Sequence, residues 1–159
     1  MRSSSNGWLL YLNGGLRAAI GLRQMLYVLP DEPATYTVPK TPAHAARVLV
    51  WQEHLVPLID LHVYLDGGGR LGSGASNSQA MVGVVACAMG SESESRTAFG
   101  AFLMSRAPDR IQVSDSQACG LPDELATWAP IAASCFRHPL LGPVPVLDLP
   151  AILTPVIPK

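Results

Sequence analysis

Charge is scarce in this sequence. Only 14% of its 159 residues are Asp, Glu, Lys or Arg while 48% are hydrophobic, and that balance excludes an intrinsically disordered chain, which combines high charge with low hydrophobicity. Its 11 basic and 12 acidic residues leave a formal charge of -1, so the basic stripe that a phosphate backbone requires is missing and nucleic acid is not an expected partner. Cysteine is scarce as well. Cys87, Cys119 and Cys135 form an odd set without a C-x-x-C pair, which suits free thiols in a reducing, cytoplasmic setting better than a disulfide framework. No apolar run reaches the roughly 18 residues of a bilayer-spanning helix, so membrane insertion is not expected. The apolar stretch near the start is broken by Asn13, Gly14, Gly15 and Arg17 and lacks the core of a signal peptide. A soluble domain of ordinary size remains, long enough to bury roughly 70% of its unfolded surface.

What the sequence does have is turn formers. Its 14 prolines and 14 glycines are spread throughout, and helix interiors tolerate neither, so short strands are expected in place of long helices. Trp8 to Leu12 and Leu16 to Leu22 read as a hairpin around Asn13-Gly14-Gly15, with Gln24 to Leu29 continuing as an extended piece. Asp31 to Pro42, which holds Pro33, Pro39 and Pro42, is expected to be an ordered connector. Val48 to Trp51 and Leu55 to Ile59 form a second hairpin around Gln52, Glu53 and His54, and His62 to Leu65 is a helical turn. Gly67 to Ser78 is almost wholly Gly, Ser, Ala and Asn and reads as a flexible excursion. Beyond it lie strands over Met81 to Met89, Thr97 to Ser105, Arg110 to Ser114 and Ile131 to Phe136, with a short helix over Leu121 to Trp128.

The sharpest internal signal is a repeat. Val56-Pro57-Leu58-Ile59-Asp60-Leu61 recurs as Val144-Pro145-Val146-Leu147-Asp148-Leu149, one copy on each side of the excursion, which implies two halves of related build. In each copy Pro suits a strand position where the missing N–H is tolerated, at an edge or bulge. The Asp is placed to cap the turn that leaves the strand.

With these segments in place the chain resembles the CheW-like domain, the coupling module of bacterial chemosensory arrays, from Trp8 to Leu153. The family's opening strand, turn and valine-rich strand are similar to Trp8 to Leu29, its Pro-x-x-Pro connector to Pro39 to Pro42, and its Ile-Val-Pro-Val-Val-Asp-Leu strand to Leu55 to Leu61. Met81 to Met89, Phe99 to Met104, Ile111, Val113 and Val144 to Leu153 follow the order of its second barrel. The chain departs from the family at two places. Where the pattern has Leu-Arg-Gly, this sequence has Trp51, Gln52 and Glu53, so the turn loses its glycine and the groove a five-donor cation; Tyr27 stands where an acidic residue is usual.

The resemblance implies an all-β fold with few short helices: two linked five-stranded SH3-like barrels over residues 8–153, between a flexible N-terminus at 1–7 and a tail at 154–159. It also implies a non-enzymatic adaptor for chemotaxis or pilus-type motility. Such an adaptor binds the regulatory domain of a CheA-type histidine kinase and the cytoplasmic tip of a chemoreceptor, and it joins other CheW-like domains. Carried over by position, Met25, Val50 and Gln52 are partner-binding candidates. Trp51, beside a hairpin turn, and Glu53 join them. Two rivals stand beside this expectation: a barrel module that has lost receptor coupling and serves or inhibits another assembly, and a small hydrolase using Cys135 and His138.

Catalytic, cofactor and metal sites are not expected. Asp60 and Asp148 each precede Leu, where an aspartic-protease dyad needs Asp followed by Ser or Thr and Gly. Cys135 and His138, even with Cys119 added, fall short of the four paired ligands of a zinc site, and no glycine elbow accompanies Cys135 as a nucleophile. Gly67-Gly68-Gly69 lacks the Lys-Ser/Thr ending of a phosphate loop. Trp8, Trp51 and Trp128 have no arginine cluster beside them to make a base-stacking platform.

Overall fold

The computed structural model of the chain describes residues 4–12, 15–30, 34–40, 45–65, 81–90 and 95–153. The strands are β1 (Ser4–Leu12), β2 (Arg17–Gly21), β3 (Met25–Leu29), β4 (Tyr36–Thr37), β5 (Arg47–Trp51), β6 (His54–Ile59), β7 (Met81–Met89), β8 (Arg96–Ser114), β9 (Ala132–His138) and β10 (Gly142–Leu147). Two one-turn helices, α1 (Leu61–Leu65) and α2 (Leu149–Leu153), follow β6 and β10, and 3-10 turns cover Leu22–Gln24, Asp115–Gln117 and Asp123–Ile131. The expected excursion at Gly67 to Ser78 lies outside the described residues. No helix among the described residues is long and apolar enough to cross a membrane.

All ten strands join one sheet, ordered β4-β5-β6-β8-β1-β2-β10-β9, with β7 also on β8 and β3 on β7. The expected all-β, two-lobed build is present, but among the described residues ladder pairing closes neither lobe. β8 is shared. Its first part pairs with β7 from Met89↔Arg96 to Met81↔Met104, and its second with β1 from Leu12↔Met104 to Ser4↔Ser114. Thr97 to Ser105 and Arg110 to Ser114 are therefore one strand and not two. The register jumps from Leu9↔Asp109 to Tyr11↔Arg106, so the intervening Ala107 and Pro108 are taken up as a bulge, a place where a sheet accepts proline. At that bulge the Tyr11 hydroxyl donates to Asp109, and the Arg106 guanidinium lies 4.1 Å from the Tyr11 ring centre. The pairing of Ser4 to Gly7 with β8 also starts β1 ahead of Trp8, where the first strand was expected.

The lobes are not the two halves of the sequence. β1 and β2 lie with β9, β10 and the end of β8; β3 to β6 lie with β7 and the start of β8. Alternation along the strands explains how both faces are buried. Leu10, Leu12, Ala18, Ile20, Ile59, Phe102, Met104 and Leu147 face one core shared by the lobes. The opposite face gives each lobe a smaller core of its own: Leu49, Val56, Leu58, Val82, Ala101 and Leu103 in one, Leu9, Ala19, Phe136 and Val144 in the other. Each fully buried Leu, Ile or Phe contributes about 1.5–3 kcal/mol.

The repeated hexamers occupy equivalent places. β6 pairs antiparallel with β5 and parallel with β8 at Leu58↔Ala101, and β10 pairs antiparallel with β9 and parallel with β2 at Val146↔Ala19. Pro57 and Pro145 each sit one residue before the parallel contact, where no third strand asks for their N–H. Asp60 Oδ1 accepts the Val63 N–H at 3.2 Å, and Asp148 Oδ1 accepts the Ala151 N–H at 3.2 Å. Both aspartates are N-caps, three residues from the amide they satisfy.

Candidate partner-binding surface

The β5–β6 hairpin carries four of the five candidate residues. Its register is set by Trp51↔His54, Val50↔Leu55 and Val48↔Pro57, so the turn holds two residues, Gln52 and Glu53, and not the three expected. Both have positive φ, 46° and 67°, the pattern of the two-residue turns whose twist matches a hairpin, which Asn-Gly and Gly-Gly fill more readily. The tight turn thus survives without its glycine, with two side chains held in the left-handed region.

The two-residue turn decides which side chains face out. Leu49 is buried and Trp51 half-buried on the inner face, where Trp51 and His54 pack on Phe99 with ring centres 6.2 and 4.6 Å away. Val50 and Leu55, 56% and 72% exposed, stand opposite each other on the outer face. Val48, Pro57 and the exposed Tyr36 of β4 continue this apolar outer face through the pairs Tyr36↔Val48 and Val48↔Pro57. Leu55 was not among the candidates, which were carried over by position or taken beside the turn; it is the two-residue turn that sets it opposite Val50, and a slip of one residue would move it to the other face.

Met25 stands elsewhere. It pairs with Val85 on β7, and its Cε lies 3.3 Å from the position a Cβ would take on Gly83, beside Met104. A side chain at position 83 would meet both methionines, so this glycine makes room for them. Met25 packs on the rim of the shared core, and the described contacts do not join it to the hairpin tip.

The cysteines show what the other lobe does chemically. Cys135 is buried and its thiol is pushed up to about 11, chiefly by burial and then by the neighbouring Cys119 thiol. His138 is three residues along β9, on the opposite face, and its Nδ1 accepts the N–H groups of Leu140 and Leu141 at 3.1 and 3.2 Å. That arrangement holds a turn and leaves no imidazole beside Cys135 to take its proton, so the two do not form the nucleophile and base pair of a hydrolase. Among the described residues no three His, Cys, Asp or Glu side chains cluster to hold a metal.

No protein-family model matches the chain and no curated protein matches it by sequence. Among solved structures it is similar to the crystal structure of the scaffolding protein TtCheW from Thermoanaerobacter tengcongensis. The TM-score is 0.66 at 12% identity, over 92% of this chain and 90% of that one. Nearly end-to-end superposition at so low an identity shows a shared backbone plan, the CheW-like fold that the sequence resembles.

Proposed function

We propose that this chain, having the CheW-like fold, is a non-catalytic chemosensory adaptor in the cytoplasm, coupling a CheA-type histidine kinase to chemoreceptors. The observation that carries this reading is the near-complete superposition on a CheW scaffolding protein. The exposed apolar outer face of β5–β6 supports it, because such a patch on a small domain marks a contact surface. In this reading Val50 meets the partner together with Leu55, Trp51 braces the strand from inside, and Gln52 and Glu53 supply polar contacts at the tip. Met25 forms part of a receptor groove wall. A helical receptor tip would lay its apolar face against such a surface.

Calorimetry of the full chain with the regulatory domain of a cognate kinase, and separately with a receptor-tip fragment, tests the proposal. Val50→Asp and Leu55→Asp should each weaken association about tenfold or more, as loss of a central apolar contact does, while Tm stays near that of the unaltered protein. Absence of binding to the kinase domain at high micromolar concentration would overturn the kinase half of the reading.

A second reading, a module that has lost receptor coupling, is favoured by Gln52 and Glu53, which supply neither the cation nor the glycine of the family's tip. It predicts that receptor binding appears only after Gln52→Arg with Glu53→Gly. Strong receptor binding by the unaltered chain would remove it.

A further inference from the structure

In the lobe that holds β9 and β10, the seam between the end of β8 and β9 is drawn together without a ladder. Ala118 forms an isolated antiparallel bridge with Phe136. The same register sets Cys119 opposite Cys135, whose carbonyl accepts the Cys119 N–H at 3.0 Å. Both cysteines are free, and their sulfurs lie 3.4 Å apart. Hydrogen-bonded antiparallel partners keep Cα atoms about 5.5 Å apart, inside the roughly 4.4–6.8 Å that a disulfide spans. Closing the 3.4 Å gap to a bond of about 2.05 Å asks the sulfurs to approach by roughly 1.4 Å, within reach of side-chain rotation. Cys119 is partly exposed where Cys135 is buried, and a cleft of about 310 Å³ lined by Ser5, Ile111, Val113, Ala118 and Phe136 reaches Cys135.

We propose that Cys119 and Cys135 are a redox-active dithiol that a hydroperoxide converts to a reversible disulfide, clasping the seam of this lobe. The Cys119 thiolate, on the more accessible sulfur, attacks a peroxide oxygen. The O–O bond breaks, the leaving hydroxide or alkoxide takes up a proton, and Cys119 becomes a sulfenic acid. The Cys135 sulfur then attacks the Cys119 sulfur; the S–S bond forms, the S–O bond breaks, and the hydroxyl departs with the Cys135 proton as water. Two thiols lose two electrons and the peroxide gains them, and a dithiol reductant reverses the change. The linked segment carries Trp128 and Ile131 into the shared core, and the Ile131 carbonyl accepts the Asp148 N–H at 2.8 Å where α2 begins. The bond therefore ties the seam to the cap of the second repeat.

The test uses the full chain, reduced, desalted and treated with near-stoichiometric hydrogen peroxide. Thiol titration in denaturant should fall from three free cysteines to one, Cys87, which is buried in the shared core. The tryptic peptide Ile111–Arg137, which contains both cysteines and no internal Lys or Arg, should become lighter by two hydrogens and return to its reduced mass with dithiothreitol. Constraining the unfolded chain should raise Tm by roughly 6–12 °C. Cys119→Ser should abolish the lighter peptide and the Tm rise together; if that variant does not fold, the mass of the unaltered protein decides alone. Three remaining thiols, a sulfinic acid on Cys119 without a cross-link, or a bond to Cys87 or to another chain would overturn the proposal.

Discussion

The β5–β6 hairpin turns on Gln52 and Glu53, both held at positive φ, whereas the β9–β10 hairpin turns through Pro139 to Leu141 into Gly142 at φ 76°. The second places glycine where the left-handed backbone falls and ties the turn's amides to His138. The first does neither. Beyond their turns the two are alike: proline ahead of a parallel contact, an Asp cap, a one-turn helix. The helices then diverge again. α1 buries only Leu61, while α2 buries Leu149, Ile152 and Leu153. The duplicated part of the structure is thus the strand exit, and each lobe finishes it differently: one keeps an exposed apolar face with a strained tip, the other sinks its helix into the shared core.

The largest effect should separate the two helices. Leu153 and Leu65 hold equivalent places, but Leu153 is fully buried, its Cδ2 2.6 Å from where a Cβ on Gly100 would sit, and Leu65 is half-buried. Leu153→Ala should cost about 3 kcal/mol and Leu65→Ala about 1 kcal/mol in urea denaturation, the difference coming from the cavity left behind. Equal costs would break the contrast. The caps should show the opposite pattern: Asp60→Ala and Asp148→Ala should each lose about 1 kcal/mol, because each removes one hydrogen bond of the same length to the same position of a one-turn helix.

Those caps were legible in the sequence because a short polar side chain after an apolar strand acts locally. The strand list was legible for the same reason: alternation and turn residues placed β7 at Met81–Met89 and β5 and β6 within a residue of their ends. What could not be read was whatever depends on pairing between distant segments. Nothing local says that Pro108 is absorbed in a bulge opposite β1, or that β1 and β2 share a lobe with β9 and β10. On the hairpin face Val50 came in by position from the resemblance, whereas the place of Leu55 opposite it depends on a two-residue turn, and so on Gln52 and Glu53 accepting positive φ against their preference. Cys119 and Cys135 lie too far apart along the chain for their contact to be read.

Titration should sharpen the contrast next. β9 buries a thiol, Cys135, whose folded-state pKa is raised to about 11 from the usual 9.0, whereas the buried position on β5, Leu49, does not ionise. A raised pKa means that the folded state disfavours the thiolate. Stability from this group is complete below about pH 9 and is lost progressively as pH climbs through 11. Cys135→Ala, compared with the unaltered chain under reducing conditions between pH 8 and 11, should flatten that part of the stability profile. Tyr11 is raised as well, by its hydrogen bond to Asp109 and by burial, so a decline at the highest pH should remain in the variant.

The smallest effect concerns the tip itself. An L-residue in the left-handed region costs roughly 1–2 kcal/mol, and glycine gives back about 0.5–1 kcal/mol of that through the extra freedom of its unfolded chain. Glu53→Gly should therefore stabilise the protein by about 0.5–1 kcal/mol, and Gly142→Ala, its counterpart in the other hairpin, should destabilise it by a similar amount. A gain at Glu53 would mean that the chain carries strain at the tip of its exposed face, and strain kept at an exposed tip points to a contact that needs those two side chains. A loss on Glu53→Gly would instead make the carboxylate part of what holds the turn, and the two hairpins would then differ in sequence but not in strain.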